Sequence, residues 1–374
     1  MSDLNSIFVY DEMRHSSLIA AVIGGVALDV PQRPATLDTS RLNGCSDDGA
    51  GMSASAQGAS IKGVILSDMS REFRARVAFY YGVLGAVSMS AEAQSASETI
   101  TVQIYCIPSD LHEEQGLDRS GEDLGLALRL AGDILDLYGQ MSVAELAALL
   151  PRMRARAQSS LWALRAPARG VGLEMTRDLV QPRGRRHPYR GFFSVEEHDV
   201  SFQKFDGTHS PVVTRAAFVS SDATIVLPYD PVTDRVLLVE QFRAGSYVRG
   251  DRYPWCLEPI AGLIDAGETP EQAAIREAKE EAGLELHHLE LISQTYPSPG
   301  SSAEFFHVYL GLVDLPASTD LIGGLATEAE DIRSHIFTFP EFMDQIDSGS
   351  FCVGTTVLAG LWLARHRDRL RAAG

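Results

Sequence analysis

Cysteine is scarce and scattered: the 374 residues hold four, Cys45, Cys106, Cys256 and Cys352, with no C-x-x-C pair and no zinc-ligand spacing of histidines beside them. That excludes a disulfide-framed scaffold and a structural zinc site, and the thiols are expected to be buried in a reducing compartment. Long apolar runs are missing too. The stretch 18–28 is too short to span a bilayer, and Met1-Ser2-Asp3-Leu4-Asn5 lacks the basic start of a signal peptide, so cytoplasmic residence is expected. Positive charge is in deficit, 32 Lys and Arg against 50 Asp and Glu, a net −18. Such a field repels phosphate backbones at long range, so neither nucleic acid nor an anionic membrane is an expected partner. A small anionic substrate stays open if metal ions screen an acidic site.

What is present is enough for two globular units, since length and a 45% apolar content allow two ordinary cores. No internal repeat occurs at solenoid periods. Apolar patterning predicts strands at 7–10, 62–66 and 99–107 and helices at 16–23, 124–138 and 142–164, a first domain of mixed type over 1–165. The Ser, Gly, Ala and Asp of 45–60 predict a loop. Residues 166–190 are expected to be a linker, because the stretch 165–190 carries seven arginines, three prolines and three glycines. The second domain, 191–374, should hold strands at 223–229, 235–242, 288–296, 305–313 and 333–339 and helices at 270–282, 340–348 and 355–370, an order that fits helices on a mixed sheet.

One segment carries chemistry. Gly262 opens a loop that runs through Glu268 into a helix with Thr269 as N-cap, Gln272 three residues on, Pro270 at the first helical position and Gly283 as the stop. Glu277, Glu280 and Glu281 fall at i, i+3 and i+4, so their carboxylates share one helix face. Like charges so placed repel by roughly 0.2–0.5 kcal/mol per pair. A bound cation reverses the sign, and Mg²⁺ commonly uses only one or two carboxylates, completing its shell with water and substrate phosphate.

The spacing Gly262, Glu268, Arg276-Glu277, Glu280-Glu281, Gly283-Leu284 resembles the Nudix box, with Ala278 where a larger aliphatic is frequent. The resemblance implies an α/β chain whose C-terminal half is an α/β/α sandwich with a mixed sheet, and a hydrolase of nucleoside diphosphates linked to a second group. It also implies metal held by Glu277 and Glu281 with Glu280 and the Ala261 carbonyl, and Arg276 orienting Glu268. Val239-Glu240-Gln241-Phe242-Arg243, Pro254-Trp255-Cys256-Leu257-Glu258 and Ser298-Pro299-Gly300, with Pro299 fifteen residues after Leu284, are similar to bacterial ADP-ribose pyrophosphatases over about 192–363. That subgroup implies Mg²⁺, with Mn²⁺ as a substitute, ADP-ribose as substrate, and a homodimer. Arg243 would contact the pyrophosphate, Glu304 the substrate side, and Arg215 would be lent by the partner. In the loop 324–333, Glu328 would activate water and Glu330 assist at metal, with the two roles open to exchange. Val353-Gly354-Thr355-Thr356 departs from the Asn-Ala pair frequent before the last helix. Another sugar, a dinucleotide, or an ADP-ribose-binding sensor remain alternatives.

Phe8-Val9-Tyr10-Asp11-Glu12-Met13-Arg14, Pro34-Ala35-Thr36-Leu37 and Gly63-Val64-Ile65 resemble gamma-glutamylcyclotransferase-like domains over about 6–110, which implies an α+β fold. Two functional elements are altered. Tyr10 is followed by Asp11-Glu12-Met13 in place of the Gly-containing turn, and Tyr80-Tyr81-Gly82 replaces Phe-Glu-Gly. A Tyr with a pKa near ~10 is a poor base at neutral pH, so a degenerate domain used for binding or assembly is expected. The domain order resembles tellurite-resistance-associated Nudix fusion proteins.

Overall fold

Ile7 and Val9 face one core and Phe8 another, the period-two alternation that makes Ile7–Tyr10 (β1) a strand covered on both sides. The computed structural model describes residues 6–24, 30–38, 60–107, 124–167, 175–318, 321–325 and 329–373. The expected loop 45–60 lies almost wholly outside them. The chain divides into two units, Met1–Pro167 and Ala168–Gly374.

The first unit continues with Ser16–Ile23 (α1), Gln32–Asp38 (β2), Ser60–Leu66 (β3), Arg71–Val83 (α2), Val87–Ser95 (β4), Glu98–Cys106 (β5), Leu124–Leu135 (α3) and Val143–Arg165 (α4). Its strands close a barrel in the order β1-β3-β2-β4-β5, sealed by parallel pairing of Ile7 with Gln103. Phe8, Leu37, Ile65, Ala93 and Ile104 form one core, while the other face of β1 meets the helices through Leu18, Val77, Leu130 and Leu146. A Cβ at position 63 would stand 2.5 Å from the Phe8 ring and 2.4 Å from the Val9 carbonyl, so β3 passes β1 only as glycine.

The second unit opens with a three-stranded antiparallel sheet of Val180–Arg190 (β6), Ser194–Phe202 (β7) and Val213–Val219 (β8). The expectation of a linker over 166–190 therefore fails from Val180 onward. Composition misleads there because β6 is an edge strand. Its prolines and Gly184 sit beside register shifts at 182/184 and 186/189, and Arg186 reaches Glu197 and Asp199 on β7.

Then come Ala223–Asp230 (β9), Arg235–Phe242 (β10), the short helix Ala244–Arg249 (α5), Trp255–Glu258 (β11), Ile260–Leu263 (β12) and Pro270–Ala282 (α6). His288–Thr295 (β13), Phe306–Leu312 (β14), Ile322–Gly323 (β15), Ile332–Thr338 (β16), Phe339–Asp347 (α7) and Gly354–Ala373 (α8) follow. The sheet is mixed, in the order β13-β14-β9-β10-β16-β15, with β11 on β10, β12 on β9, and β14 parallel to β9. Along β9, Val226 packs under α6 with Ala274, Ala278 and Ala282, whereas Ile225 and Leu227 face Phe342, Ala359 and Leu363 of α7 and α8. Helices on both faces give the expected sandwich. Ala278 is fully buried, so its small side chain sets how closely α6 lies on the sheet.

One expectation about the thiols needs correction. Cys352 is exposed, and its Sγ lies 4.0 Å from that of buried Cys256, although 96 residues separate them in the chain. The pairing of β11 with β10 and the approach of α8 bring them together, which spacing along the chain cannot reveal. Among the described residues no helix is long and apolar enough to cross a membrane.

Candidate active site

Helix α6 starts as its sequence dictates. Thr269 Oγ1 accepts from the Gln272 N–H at 3.2 Å while the Gln272 side chain accepts from the Thr269 N–H at 2.8 Å, and Gly283 ends the helix in the left-handed region at φ 62°. With Ala274 and Ala278 against the sheet, Glu277 and Glu281 are carried inward along β12. Glu281 is only 2% exposed, and its carboxylate accepts from the Ala261 N–H at 3.4 Å. A Cβ at position 262 would stand 1.9 Å from Glu277 Oε1, so the glycine there makes room for that carboxylate.

Arg276 ties the group together. Its Nε and Nη2 donate to the two oxygens of Glu268 at 2.8 and 2.9 Å, Nη1 reaches Glu277 at 2.7 Å and Glu280 at 3.0 Å, and Nη2 also meets the Leu263 carbonyl at 3.1 Å. Arg276 thus draws the loop residue Glu268 to the helix, and its i,i+4 pair with Glu280 is one of several contacts. Hydrogen bonding to Glu268 raises the Arg276 pKa. Burial opposes ionisation of Glu268, yet Arg276 outweighs it and holds that carboxyl below its ordinary range.

The inner carboxyls behave oppositely. Burial pushes Glu277 up to about 7, against the pull of Arg276, with Glu280 and Glu330 adding repulsion. Burial pushes Glu281 up to about 8, with Glu277 and Glu330 adding to it and Arg243 opposing. Glu330 thus belongs to the same acidic neighbourhood, where its carboxylate accepts from the Leu325 N–H at 3.0 Å. Behind it β15 passes α6 so closely that a Cβ at position 323 would lie 2.0 Å from the Glu281 carbonyl.

Among the described residues no three His, Cys, Asp or Glu side chains form a ready-made cage for a metal. The donor set nevertheless suits Mg²⁺, which takes oxygen ligands and keeps several waters. Buried carboxyls that raise one another's pKa are what a divalent cation would relieve.

A family model described as the NUDIX domain matches residues 220–350. The ADP-ribose pyrophosphatase of Escherichia coli (strain K12) is 37% identical over 183 residues, 49% of this chain and 87% of that protein. The chain belongs to the Nudix family. The ADP-ribose pyrophosphatase of Haemophilus influenzae is also 37% identical, over 50% of this chain and 87% of its own length. The GDP-mannose pyrophosphatase of Salmonella choleraesuis is 31% identical over 38% of this chain and 74% of its own.

Around the Nudix helix the remaining expected residues divide. Arg243, at the end of β10, donates from Nε to Glu258 at 2.6 Å, and Glu281 acts on its charge. Glu258 is buried and its pKa is raised by that burial despite Arg243. Sequence reasoning gave it no role, although Pro254-Trp255-Cys256-Leu257-Glu258 was already conspicuous. Pro299 lies in an exposed turn closed by Ser302 N–H on the Ser298 carbonyl at 2.9 Å, and Glu304 is held there by the Ser302 hydroxyl at 3.0 Å. Arg215 lies on β8, in the three-stranded sheet rather than the one carrying the carboxylates, and donates to the Thr214 carbonyl at 3.1 Å. Glu328 falls outside the described residues.

Two polar ties also escaped the sequence reading. His307 on β14 meets Asp222 at 3.1 Å, and Tyr309 donates to Glu271 in the first turn of the Nudix helix at 2.8 Å. Both are long-range pairs that no local spacing announces.

Proposed function

We propose that this chain hydrolyses the pyrophosphate bond of ADP-ribose to AMP and ribose 5-phosphate with Mg²⁺, or Mn²⁺ in its place. The observation that carries the reading is the inward pair Glu277 and Glu281, set by Gly262 and braced by Arg276. The ADP-ribose pyrophosphatases cover 87% of their own length at 37% identity, against 74% at 31% for the GDP-mannose enzyme, which favours ADP-ribose as the substrate.

In this reading Glu277 and Glu281, with Glu280, the Ala261 carbonyl and Glu330, would hold the cation, whose charge would stabilise the transition state and lower the pKa of bound water. Arg243, preset by Glu258, presents its guanidinium to the pyrophosphate, where a planar fork suits bidentate contact. Glu304 and the Pro299 turn bound the substrate side. Glu328 accepts the proton of the attacking water. Arg276 keeps Glu268 ionised and the carboxylates aligned.

A homodimer belongs to the same reading, with Arg215 donated across it. Exposed Phe205 and Val212 beside the three-stranded sheet offer apolar surface for it. The first unit is read as a gamma-glutamylcyclotransferase-like domain without that activity. Tyr81, where that family has Glu, is buried with its ring stacked on Tyr105 at 4.6 Å, and a phenol, ordinarily with a pKa near ~10, is a poor replacement for a carboxylate base at neutral pH.

The test is a turnover panel of ADP-ribose, NADH, GDP-mannose and diadenosine polyphosphates, with Mg²⁺ and with a chelator. ADP-ribose should lead by kcat/KM and lose its turnover with the chelator. A lead for GDP-mannose or a dinucleotide overturns the substrate, and metal-independent turnover overturns the site.

A further inference from the structure

Cys256 and Cys352 lie outside the carboxylate chemistry, yet the fold places their sulfurs 4.0 Å apart. Their neighbourhood is fixed without them. Cys256 is opposite Gln241 in the β10–β11 ladder, and the Thr356 hydroxyl at the start of α8 donates to the carbonyl of Leu257, the next residue of β11, at 3.4 Å. The two segments therefore stay together whatever the redox state of the thiols. The pair is also asymmetric: Cys352 is exposed, while Cys256 is 3% exposed, with the Ser246 hydroxyl 3.3 Å from its sulfur. One thiol meets solvent and the second waits behind it.

We propose that Cys256 and Cys352 are an oxidation site, forming a reversible intrachain disulfide when the protein meets a peroxide. The minor thiolate form of Cys352, whose pKa is raised by burial and by the neighbouring Cys256, attacks one peroxide oxygen, the O–O bond breaks, and Cys352 becomes a sulfenic acid as hydroxide leaves. The Cys256 sulfur then attacks the Cys352 sulfur. The S–S bond forms, the S–O bond breaks, and the departing hydroxide takes the Cys256 proton as water. In sum, two thiols lose two electrons and one peroxide becomes two waters.

Closing from 4.0 Å to the ~2.05 Å of a disulfide asks each sulfur to move about 1 Å, within reach of a side-chain rotation. In a reducing compartment the bond is transient and a thiol reductant restores the dithiol.

The test uses the full chain, transferred to thiol-free buffer and treated with a small excess of hydrogen peroxide. Thiols are counted under denaturing conditions and peptides are mapped by mass without reduction. Free thiols should fall from four to two per chain, a peptide pair joining Cys256 to Cys352 should appear two hydrogen masses lighter than its parts, and dithiothreitol should restore all four. Cys352→Ser and Cys256→Ser should each abolish the linked pair, and exposed Cys352 is the substitution the fold tolerates most easily. Linkage of Cys45 or Cys106 instead overturns the proposal, as does oxidation of Cys352 to sulfinic acid with Cys256 left free, or no thiol loss.

Discussion

Arg276 grips Glu268 with two near-parallel hydrogen bonds, Nε to Oε1 at 2.8 Å and Nη2 to Oε2 at 2.9 Å, joining the loop before the Nudix helix to the helix itself. Such a fork cannot be made by an ammonium. Arg276→Lys should keep the charge and the fold while kcat falls about tenfold, because Glu268 and the carboxylates lose their common brace. Steady-state kinetics with a melting curve check this, and unchanged kcat would reduce the fork to a structural contact.

Gly262→Ala should strike function harder than stability. The added Cβ would meet the Glu277 carboxyl end at 1.9 to 2.6 Å, and that side chain can swing aside more cheaply than β12 can move. Turnover should drop about a hundredfold and the Mg²⁺ requirement rise, with a melting temperature within a few degrees of the parent. A large loss of stability with normal turnover per folded molecule would contradict the assignment of Glu277.

Asp234 offers a prediction about pH. Burial opposes its ionisation, but Arg367, Tyr229 and Arg371 donate to it and hold its pKa below the ordinary carboxylate range. A depressed folded pKa means the stabilisation is fully present above the unfolded value near ~3.9 and is lost as pH falls through the lower folded value. Asp234→Asn, tolerable at φ 57°, should cost about 1–3 kcal/mol at pH 6 and progressively less below pH 4, read from urea unfolding of the C-terminal unit. A constant difference across that range would show that the charge does not matter.

These sites differ in how far the sequence announces them. Thr269, Pro270, Gln272 and Gly283 are local signals, so the Nudix helix is found at Pro270–Ala282 as its caps predict. The strands at β9 and β10 were equally legible, because both are apolar runs around a turn. The sequence does not announce helix α2, since Arg71, Glu72, Arg74 and Arg76 dilute its apolar stripe, and the arginines and prolines of β6 hide that strand. Within the site, the carboxylates share one helix face and could be listed from spacing. Glu258 and the Cys256–Cys352 approach arise from strand pairing and helix docking, which are invisible along the chain.

In the proposed reading the acidic loop supplies two separable roles. Glu330 is placed beside Glu277 and Glu281, as a cation ligand should be, so Glu330→Gln should raise the Mg²⁺ concentration needed for half-maximal rate. Glu328→Gln should cut kcat at least tenfold at saturating Mg²⁺ and leave that requirement unchanged, as loss of a base does. If the two phenotypes are exchanged, the base is Glu330.

The buried carboxyl of Glu281 is expected to act on the reaction through a cation rather than on the fold. Glu281→Gln keeps the shape and one hydrogen-bonding oxygen but removes the charge. The direct measurement is kcat for ADP-ribose at saturating Mg²⁺, alongside the melting temperature of the same preparation. A loss of kcat of at least a hundredfold with the fold intact is expected, since charge stabilisation by a bound metal is worth several kcal/mol. Turnover within threefold of the parent would contradict it.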